Sequence, residues 1–233
     1  MLSCLFAAEA FAYRPFDGTD AAVADLREVE IELGPIQFLR EGTDRTLAAP
    51  ALIFNIGIFQ GWEAVLEGRR ERSLGQEGRS SLVDNGAFLK GVLREGSLQD
   101  KSGPSVATEF GALLPDVHGD PGTGASLGLI VSQQGRGLTV HGNFVAALNR
   151  AHHGDLFVGT IFEVPLDFPL RPVAEVYYER DTAGAWTASG LVGAIWRWSD
   201  TLSFDVGVRR ARAGRTNVDE IRAGLTWGFA LWR

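Results

Sequence analysis

The residues best suited to catalysis are a histidine, an asparagine and two serines. His141 and Asn143, with Ser126 and Ser132 on the preceding predicted strand, have the residue types of a serine hydrolase. Nucleophilic catalysis requires a serine within hydrogen-bonding reach of the histidine and a third group that orients it. Side-chain alternation directs His141 and Asn143 towards the interior of a closed sheet, where a lipid ester cannot easily reach them. We therefore expect no catalytic residue.

A metal site is equally weakly indicated. His152 and His153 are adjacent in a predicted exposed turn, and such a pair is a poor match to the spacing of metal ligands. Gly122 and Gly124 lead into a predicted strand without the helix that a phosphate-binding loop requires. We expect no cofactor and no metal.

Ionisable and polar side chains share one face of the predicted strands. One interpretation is a charged pore lining that biases permeation towards cations or polar solutes, because a confined channel focuses the electrostatic potential. The other, which the interspersed acids and bases favour, is a hydrated network of paired charges that holds a narrow barrel together. The proposed lumen-lining residues are Glu28, Glu30, Glu32, Glu63, Glu67, Lys90, Arg94, Glu109, His141, Asn143, Glu163, Arg171, Glu175, Arg197, Asp205, Arg209 and Arg222.

The elements that carry these residues are strands. Segments of about ten residues with alternating polarity recur from Leu26 to the end of the chain, separated by turn residues, as in transmembrane barrels. Their opposite faces are apolar and uncharged, as in Leu127, Leu129 and Val131. We count twelve such segments, and we predict an all-β fold: a single transmembrane antiparallel β-barrel of about twelve strands.

An even number of strands places both termini on the same side. The connections on that side are mostly short in the predicted layout, whereas the opposite side includes Pro35 to Thr46, Arg70 to Ser80 and Pro115 to Thr123. Short periplasmic turns and longer external loops are usual in these barrels. We therefore expect both termini on the periplasmic side of a bacterial outer membrane.

The N-terminal region resembles a secretion signal. Residues 1–12 are almost all apolar or small and end in Ala10-Phe11-Ala12, a small-x-small pattern typical of a cleavage site. We predict a signal peptide at 1–12, a periplasmic N-terminal segment at 13–25 and the barrel at 26–233. Cleavage would remove the single cysteine, Cys4, which excludes disulfides and thiol catalysis in the mature chain.

The charge of the chain limits its partners. The formal net charge is −7, which argues against nucleic-acid binding. Two arginine-rich stretches, Arg69 to Arg72 and Arg209 to Arg212, fall near the proposed outer rim. Paired guanidinium groups suit the phosphates of lipopolysaccharide, although the stretches could equally well be solvated loop residues. The expected partners are thus the lipid bilayer with its lipopolysaccharide and a small-molecule solute.

The last strand resembles the C-terminal assembly signal of bacterial outer-membrane barrels. In that signal a polar residue, a glycine and two aromatic residues are spaced as in Arg222, Gly224, Trp227 and Phe229. The resemblance implies recognition by the barrel-assembly machinery.

Several short motifs, each common in β proteins, follow one another along nearly the whole chain. They are Arg14-Pro15-Phe16, Asp20-Ala21, Val29 to Gly34, Asp84, Lys90, Gly103-Pro104, Leu114-Pro115, Gly122 to Gly124, Leu127 to Ser132, Gly142-Asn143, Glu175 and Gly224 to Thr226. Their order resembles an outer-membrane barrel family named for the "MetA-pathway of phenol degradation" and grouped with transporters. The resemblance implies a barrel that acts as a passive channel or transporter for small molecules, with aromatic or hydrophobic compounds as candidates. The alternative is a non-conducting structural or interaction barrel in a larger membrane assembly.

Overall fold

The computed structural model describes residues 14–75, 80–164 and 169–231. Within these ranges, the chain forms twelve β-strands and one short 3-10 helix, Ser97–Gln99. No helix in the described part of the chain is long and apolar enough to cross a membrane. The strands are β1 (Glu28–Glu41), β2 (Asp44–Phe59), β3 (Trp62–Ser73), β4 (Ser81–Arg94), β5 (Ser105–Leu113), β6 (Gly124–Gln134), β7 (Thr139–Leu148), β8 (Gly154–Glu163), β9 (Leu170–Asp181), β10 (Trp186–Arg197), β11 (Leu202–Ala213) and β12 (Thr216–Ala230).

The strands form one closed sheet. Each pairs in antiparallel fashion with its neighbours in sequence, and β1 pairs with β12, so that Glu28 lies opposite Ala230 and Glu41 opposite Val218. Closure leaves no strand with an unpaired edge, which is the condition for β-structure to span a bilayer. The prediction of a single antiparallel barrel of twelve strands is confirmed. We call the end at which β1 begins and β12 ends the terminal end, and the opposite one the far end.

Side chains alternate between the lumen and the outer surface. On β7, His141 and Asn143 are 2% and 1% exposed, whereas Phe144 and Leu148 are 49% and 48% exposed. This alternation follows from the pleat of a strand, whose successive side chains point to opposite faces. The apolar outer face suits lipid, and the polar inner face forms the lumen.

The connection predicted from Pro35 to Thr46 is wrong. β1 and β2 continue through most of it and meet at a turn around Gly42, whose φ of +57° is a conformation that glycine adopts readily. Pro35, at the start of the predicted loop, and Pro50 on β2 both lie where the register of the sheet shifts. Proline has no N–H to contribute to a ladder and is therefore tolerated at such irregularities.

The connections do not separate into short and long sets. The far end includes the two tight turns β1–β2 and β11–β12, and the terminal end includes the long β4–β5 connection from 95 to 104. The expected asymmetry is thus weaker than the sequence suggested. The periplasmic location of the termini stays a prediction.

Aromatic residues cluster at the ends of the strands. Trp196 contacts Trp198 and Phe204 at the terminal end, with ring centroids 5.1 and 6.0 Å apart. At the far end, Trp186 stacks on Tyr178 at 6.4 Å. Such aromatic residues are typical of the two boundaries of the lipid band. The predicted signal peptide at 1–12 lies outside the described residues, as does Trp232.

Replacing Leu129 by arginine should impair membrane insertion. Leu129 is 44% exposed on the outer face of β6, where a charge costs about 2 to 4 kcal/mol at the bilayer midplane. The measurement is the folded fraction after refolding into liposomes, read from heat modifiability on a gel. Ser126→Arg on the same strand is the matched control, because Ser126 lines the lumen. Equal losses in the two variants would contradict this assignment of faces.

Candidate functional site

The lumen of the barrel contains most of the residues that were predicted to line it. Glu67 and Glu109 line a central cavity, Glu163 pairs with Arg171 at 3.2 Å, and Arg209 donates to Glu220. The effect of these lumen-lining residues on permeation stays a prediction. Those among them that are buried on the inward face are Glu30, Glu32, Glu63, Lys90, His141, Asn143, Arg171, Glu175, Asp205 and Arg222.

Three of the predicted lining residues lie at the terminal end of the barrel. Arg94 is exposed and donates to the backbone carbonyls of Pro104 and Ser102, so it holds the β4–β5 connection and does not line the lumen. Arg197 is the last residue of β10, and Glu28 is the first of β1. Sequence alternation predicts which face of the sheet a residue occupies, but not its position between the terminal end and the far end of the barrel.

A segment of the chain itself fills part of the lumen. We predicted a periplasmic N-terminal segment at 13–25, and that location stays a prediction. Residues 14–25, here called the luminal segment, contact inward-facing side chains of seven strands. The physical reason is that this irregular segment has backbone N–H groups without a sheet partner, and polar side chains in the lumen accept hydrogen bonds from them. The contacted residues are Glu63, Lys90, Ser132, Asn143, Glu175, Asp205 and Arg222.

Two side chains near the middle of the barrel hold the backbone of the luminal segment. The carboxylate of Glu175 accepts the N–H of Asp17 at 2.9 Å and that of Gly18 at 2.7 Å. The amide of Asn143 accepts the N–H of Thr19 at 2.9 Å and donates to its carbonyl at 2.8 Å. These bonds fix three consecutive residues against β7 and β9.

Ala21 is anchored on the β6 side of the lumen. Its N–H donates to Ser132 Oγ at 2.9 Å, and its carbonyl accepts from Gln99 of the 3-10 helix at 3.0 Å. Ala21 is completely buried and packs against Ala107 and Ile130. The connection between β4 and β5 therefore helps to hold the segment inside the barrel.

Ion pairs connect the luminal segment with the barrel wall. The carboxylate of Asp17 lies 3.1 Å from the Arg222 guanidinium, and that of Asp20 lies 3.8 Å from Lys90 Nζ. Arg14 Nε lies 3.6 Å from Asp205. Buried charges are tolerated when they are paired and hydrogen bonded, so the segment and the lumen neutralise each other in part.

Two glycines of the wall leave the space that the luminal segment occupies. A methyl group at Gly57 would overlap the backbone carbonyl of Asp25, and one at Gly224 would overlap the side chains of Arg14 and Asp205. Even an alanine at these positions would collide with the segment where it lies now. The wall is therefore shaped to fit the segment.

A second network beside the segment was not predicted from the sequence. Glu220 accepts hydrogen bonds from Arg222, from Arg209 and from Gln37, the last at 2.8 Å. Arg209 also donates to the hydroxyl of Tyr177 at 2.7 Å. Glu220 shares the parity of Arg222 on β12, and that parity is the signal that could have identified it. Gln37 has the opposite parity to Glu28, Glu30 and Glu32, because the register of β1 shifts between Leu33 and Ile36, so alternation alone could not have identified it.

A cavity of about 530 Å³ lies between the luminal segment and the far end of the barrel. Its floor includes Arg14, Asp17 and Thr19, and its wall continues towards the far end to Asp84 and Arg150. Among the described residues that line it, eight are acidic and five are basic. The cavity therefore has an acidic excess.

The histidine and serine that suggested catalysis do come together. His141 Nδ1 and Ser132 Oγ are 2.8 Å apart, and His141 Nε2 is 4.0 Å from Glu163. However, Ser132 is fully buried and its oxygen already accepts the N–H of Ala21. Asn143 is bound to Thr19 and does not orient the histidine. The geometry anchors the segment and gives a substrate no access to the serine.

The residues of the proposed assembly signal lie on both faces of β12. Arg222 and Gly224 are buried on the inward face, and Trp227 and Phe229 lie near the terminal end with ring centroids 4.7 Å apart. Recognition by the barrel-assembly machinery stays a prediction.

No protein-family model matches the sequence, and no curated protein does either. The fold resembles several solved structures. The COG4313 outer membrane channel from Pseudomonas putida F1 has a TM-score of 0.60 and 11% identity, over 91% of this chain and 98% of that chain. The NanC porin has a TM-score of 0.60 and 6% identity, over 85% and 98%. The KdgM porin in complex with disordered oligogalacturonate has a TM-score of 0.56 and 12% identity, over 86% and 99%.

These likenesses define the class of the fold. The chain is a twelve-stranded β-barrel with the fold of bacterial outer-membrane channels, with an apolar outer surface and a charged lumen. The resemblance to the phenol-degradation family, drawn from short motifs, is not confirmed by the comparisons.

Replacing Glu175 by alanine should loosen the luminal segment. The variant loses two hydrogen bonds to a carboxylate, each worth about 1.5 to 3 kcal/mol. A cysteine introduced as Thr19→Cys in the mature chain should then react faster with a soluble maleimide. The control is Glu179→Ala, a second cavity-lining carboxylate on the same strand. An unchanged labelling rate in Glu175→Ala would show that these bonds do not hold the segment.

Proposed function

We propose that this barrel is an outer-membrane channel for small solutes, and that the luminal segment controls its conductance. The observation that carries the proposal is the polar cavity of about 530 Å³ between the segment and the far end. A cavity of this size and polarity suits a hydrated small molecule. The porin and channel folds to which the chain is similar are consistent with the proposal.

The luminal segment restricts the path on the terminal side of the cavity. It is held by individual hydrogen bonds and ion pairs and has no strand pairing with the wall, so it can leave without disrupting the sheet. Ordering such a segment costs about 1 to 2 kcal/mol of backbone entropy per residue, which favours its release. Conduction then depends on how often the segment moves away from the wall.

The charge of the cavity supports a preference for cations. Glu67 on β3 and Glu109 on β5 both line the cavity, and the lining has an acidic excess. Fixed charges of one sign in a confined, low-dielectric space raise the local concentration of ions of the opposite sign.

The wall also has an apolar portion that supports the finer proposal of aromatic or hydrophobic solutes. Phe157 and Tyr177 lie with ring centroids 4.9 Å apart on one side of the cavity, and Phe88 and Val65 line it elsewhere. A solute with a flat apolar body and a polar group would contact both kinds of surface.

A second candidate is a non-conducting barrel with a structural or interaction role. The observation that favours it is the number of polar contacts between the luminal segment and seven strands, which would close the lumen permanently. The two candidates differ in whether current flows through the folded protein.

Conductance through the refolded mature chain in a planar bilayer distinguishes the two candidates. We expect small or infrequent steps from the native sequence and larger or more frequent steps from Glu175→Ala, because the variant weakens the hold on Asp17 and Gly18. Glu179→Ala serves as the control. Silence from all three proteins, each shown to be folded by heat modifiability, would overturn the channel proposal and favour the structural role.

Ion selectivity tests the role of the acidic wall. The double variant Glu67→Gln and Glu109→Gln should shift the reversal potential in a salt gradient towards lower cation preference, because two cavity charges are lost. The control is Glu41→Gln, an exposed residue at the far end of β1. If the control shifted the potential as much as the double variant, the selectivity would not arise in the cavity.

A further inference from the structure

Five of the exposed arginines near the far end of the barrel lie on the outer faces of β1, β2, β3 and β11. Arg40 on β1 is directly opposite Arg45 on β2. Arg72 on β3 lies opposite Leu47, two residues along β2 from Arg45, and Arg210 and Arg212 follow on β11. We call these five residues the arginine belt.

Among the described residues that lie directly opposite the arginine belt on neighbouring strands, one is acidic. Asp219 on β12 lies opposite both Arg40 and Arg210, with nitrogen to oxygen distances of 2.5 and 3.8 Å. The side chains of Arg40 and Arg210 are 54% and 73% exposed. Like charges directly opposite each other, as in Arg40 and Arg45, destabilise a sheet, and an external anion would offset that repulsion.

The arginine belt begins where the lipid-facing surface ends. One row closer to the terminal end, the outward residues in register on β2, β1, β12 and β11 are Leu47, Phe38, Ile221 and Val208. These apolar residues lie two positions from Arg45, Arg40, Asp219 and Arg210 on the same strands, a distance of roughly 6.5 to 7 Å.

The length of the apolar surface fits the same boundary. On β1 the outward apolar residues run from Val29 to Phe38, a stretch of about ten residues, and about 9 to 11 tilted strand residues cross the hydrocarbon core. Arg40 therefore lies at the level of lipid headgroups.

The opposite side of the barrel lacks this feature. The strands β5, β6, β7 and β8 contain no lysine or arginine. Their outward residues near the far end are apolar, such as Leu148 and Leu156. Apart from Arg180 on β9, the outward arginines of the described strands near the far end thus lie on one side of the barrel, from β11 through the closure to β3.

We infer that the arginine belt binds the phosphate groups of lipopolysaccharide in the outer leaflet. Guanidinium groups form paired, charge-assisted hydrogen bonds with phosphate oxygens, and the belt presents several of them side by side at headgroup height. A glycolipid with more than one phosphate fits a row of arginines that spans adjacent strands, while its acyl chains would lie against Phe38 and Ile221. The inference requires the far end to face outwards, as the predicted periplasmic termini imply.

Not all residues of the two arginine-rich stretches contribute. Arg69 points inwards and lies 2.9 Å from Asp84, and Arg209 pairs with Glu220. The outward parity selects Arg70, Arg72, Arg210 and Arg212 from those stretches. Arg70 donates to Ser80 Oγ at 3.2 Å, and the belt as defined takes the other three. Arg40 and Arg45, which come from elsewhere in the chain, complete the belt.

The test is binding of a purified, bisphosphorylated lipopolysaccharide to the refolded chain in detergent micelles, followed by native mass spectrometry. The triple variant Arg40→Ala, Arg45→Ala and Arg210→Ala should bind at least about tenfold more weakly, because each arginine contributes charge-assisted hydrogen bonds. Asp219→Asn should bind more tightly, since it removes the acidic partner of two belt arginines.

The matched control removes positive charge at the terminal end. Lys101→Ala with Arg136→Ala, both exposed in connections of that end, should leave binding unchanged. Heat modifiability shows that every variant is folded. Equal weakening by the control, or equal binding of dephosphorylated lipopolysaccharide or of phosphatidylglycerol, would overturn the assignment to lipopolysaccharide phosphates.

The orientation has its own test. Asp44→Cys, at the start of β2 beside the arginine belt, should react with a membrane-impermeant maleimide added to intact cells. Failure to label the folded protein in cells, with labelling after lysis, would place the belt in the periplasm and overturn the inference.

Discussion

The constraint on which the structure depends is that a bilayer offers no hydrogen-bonding partner to the backbone. A sheet can meet this constraint only by closing, and here β1 pairs with β12 from Glu28 to Glu41, with one irregularity between Leu33 and Ile36. Closure creates two surfaces of different chemistry, and the pleat assigns successive residues to them. Charged residues such as Glu30 and Glu32 then lie inside a narrow barrel, where they need partners.

The luminal segment follows from that need. Side chains that face a confined lumen cannot all be solvated freely, and a buried charge or amide is costly unless it is bonded. The segment supplies such partners: its backbone amides bind Glu175 and Asn143, and its carboxylates pair with Arg222 and Lys90. In return, polar side chains of the wall accept hydrogen bonds from backbone N–H groups of the segment that have no sheet partner. The same contacts that stabilise the lumen therefore also restrict passage through it.

The sequence predicted the fold and the faces of the strands because both depend on short-range alternation. Residues such as Asn143 and Phe144 differ in exposure as their parity requires. The contacts of residues 14–25 could not be predicted in this way. Arg14 and Asp20 show no strand periodicity, and their partners Asp205 and Lys90 are distant in sequence.

The predicted loop from Pro35 to Thr46 failed for a related reason. Proline and glycine suggest a loop in a single sequence, but a long strand can absorb proline at an irregularity of its ladder. The arginine-rich stretches show the same limit: their composition suggested a common role, whereas parity separates Arg209, which points inwards, from Arg210, which points outwards.

The most direct test of the account is to lock the luminal segment reversibly. A side chain at residue 18 would lie about 3.1 Å from the Asn143 side chain, so Gly18→Cys with Asn143→Cys should form a disulfide. We predict that the oxidised protein passes little current in a planar bilayer and that reduction increases the current, because the cross-link and the Asn143 anchor are then both absent. Equal currents before and after reduction, in a protein shown to be cross-linked, would contradict the claim that this segment controls the lumen.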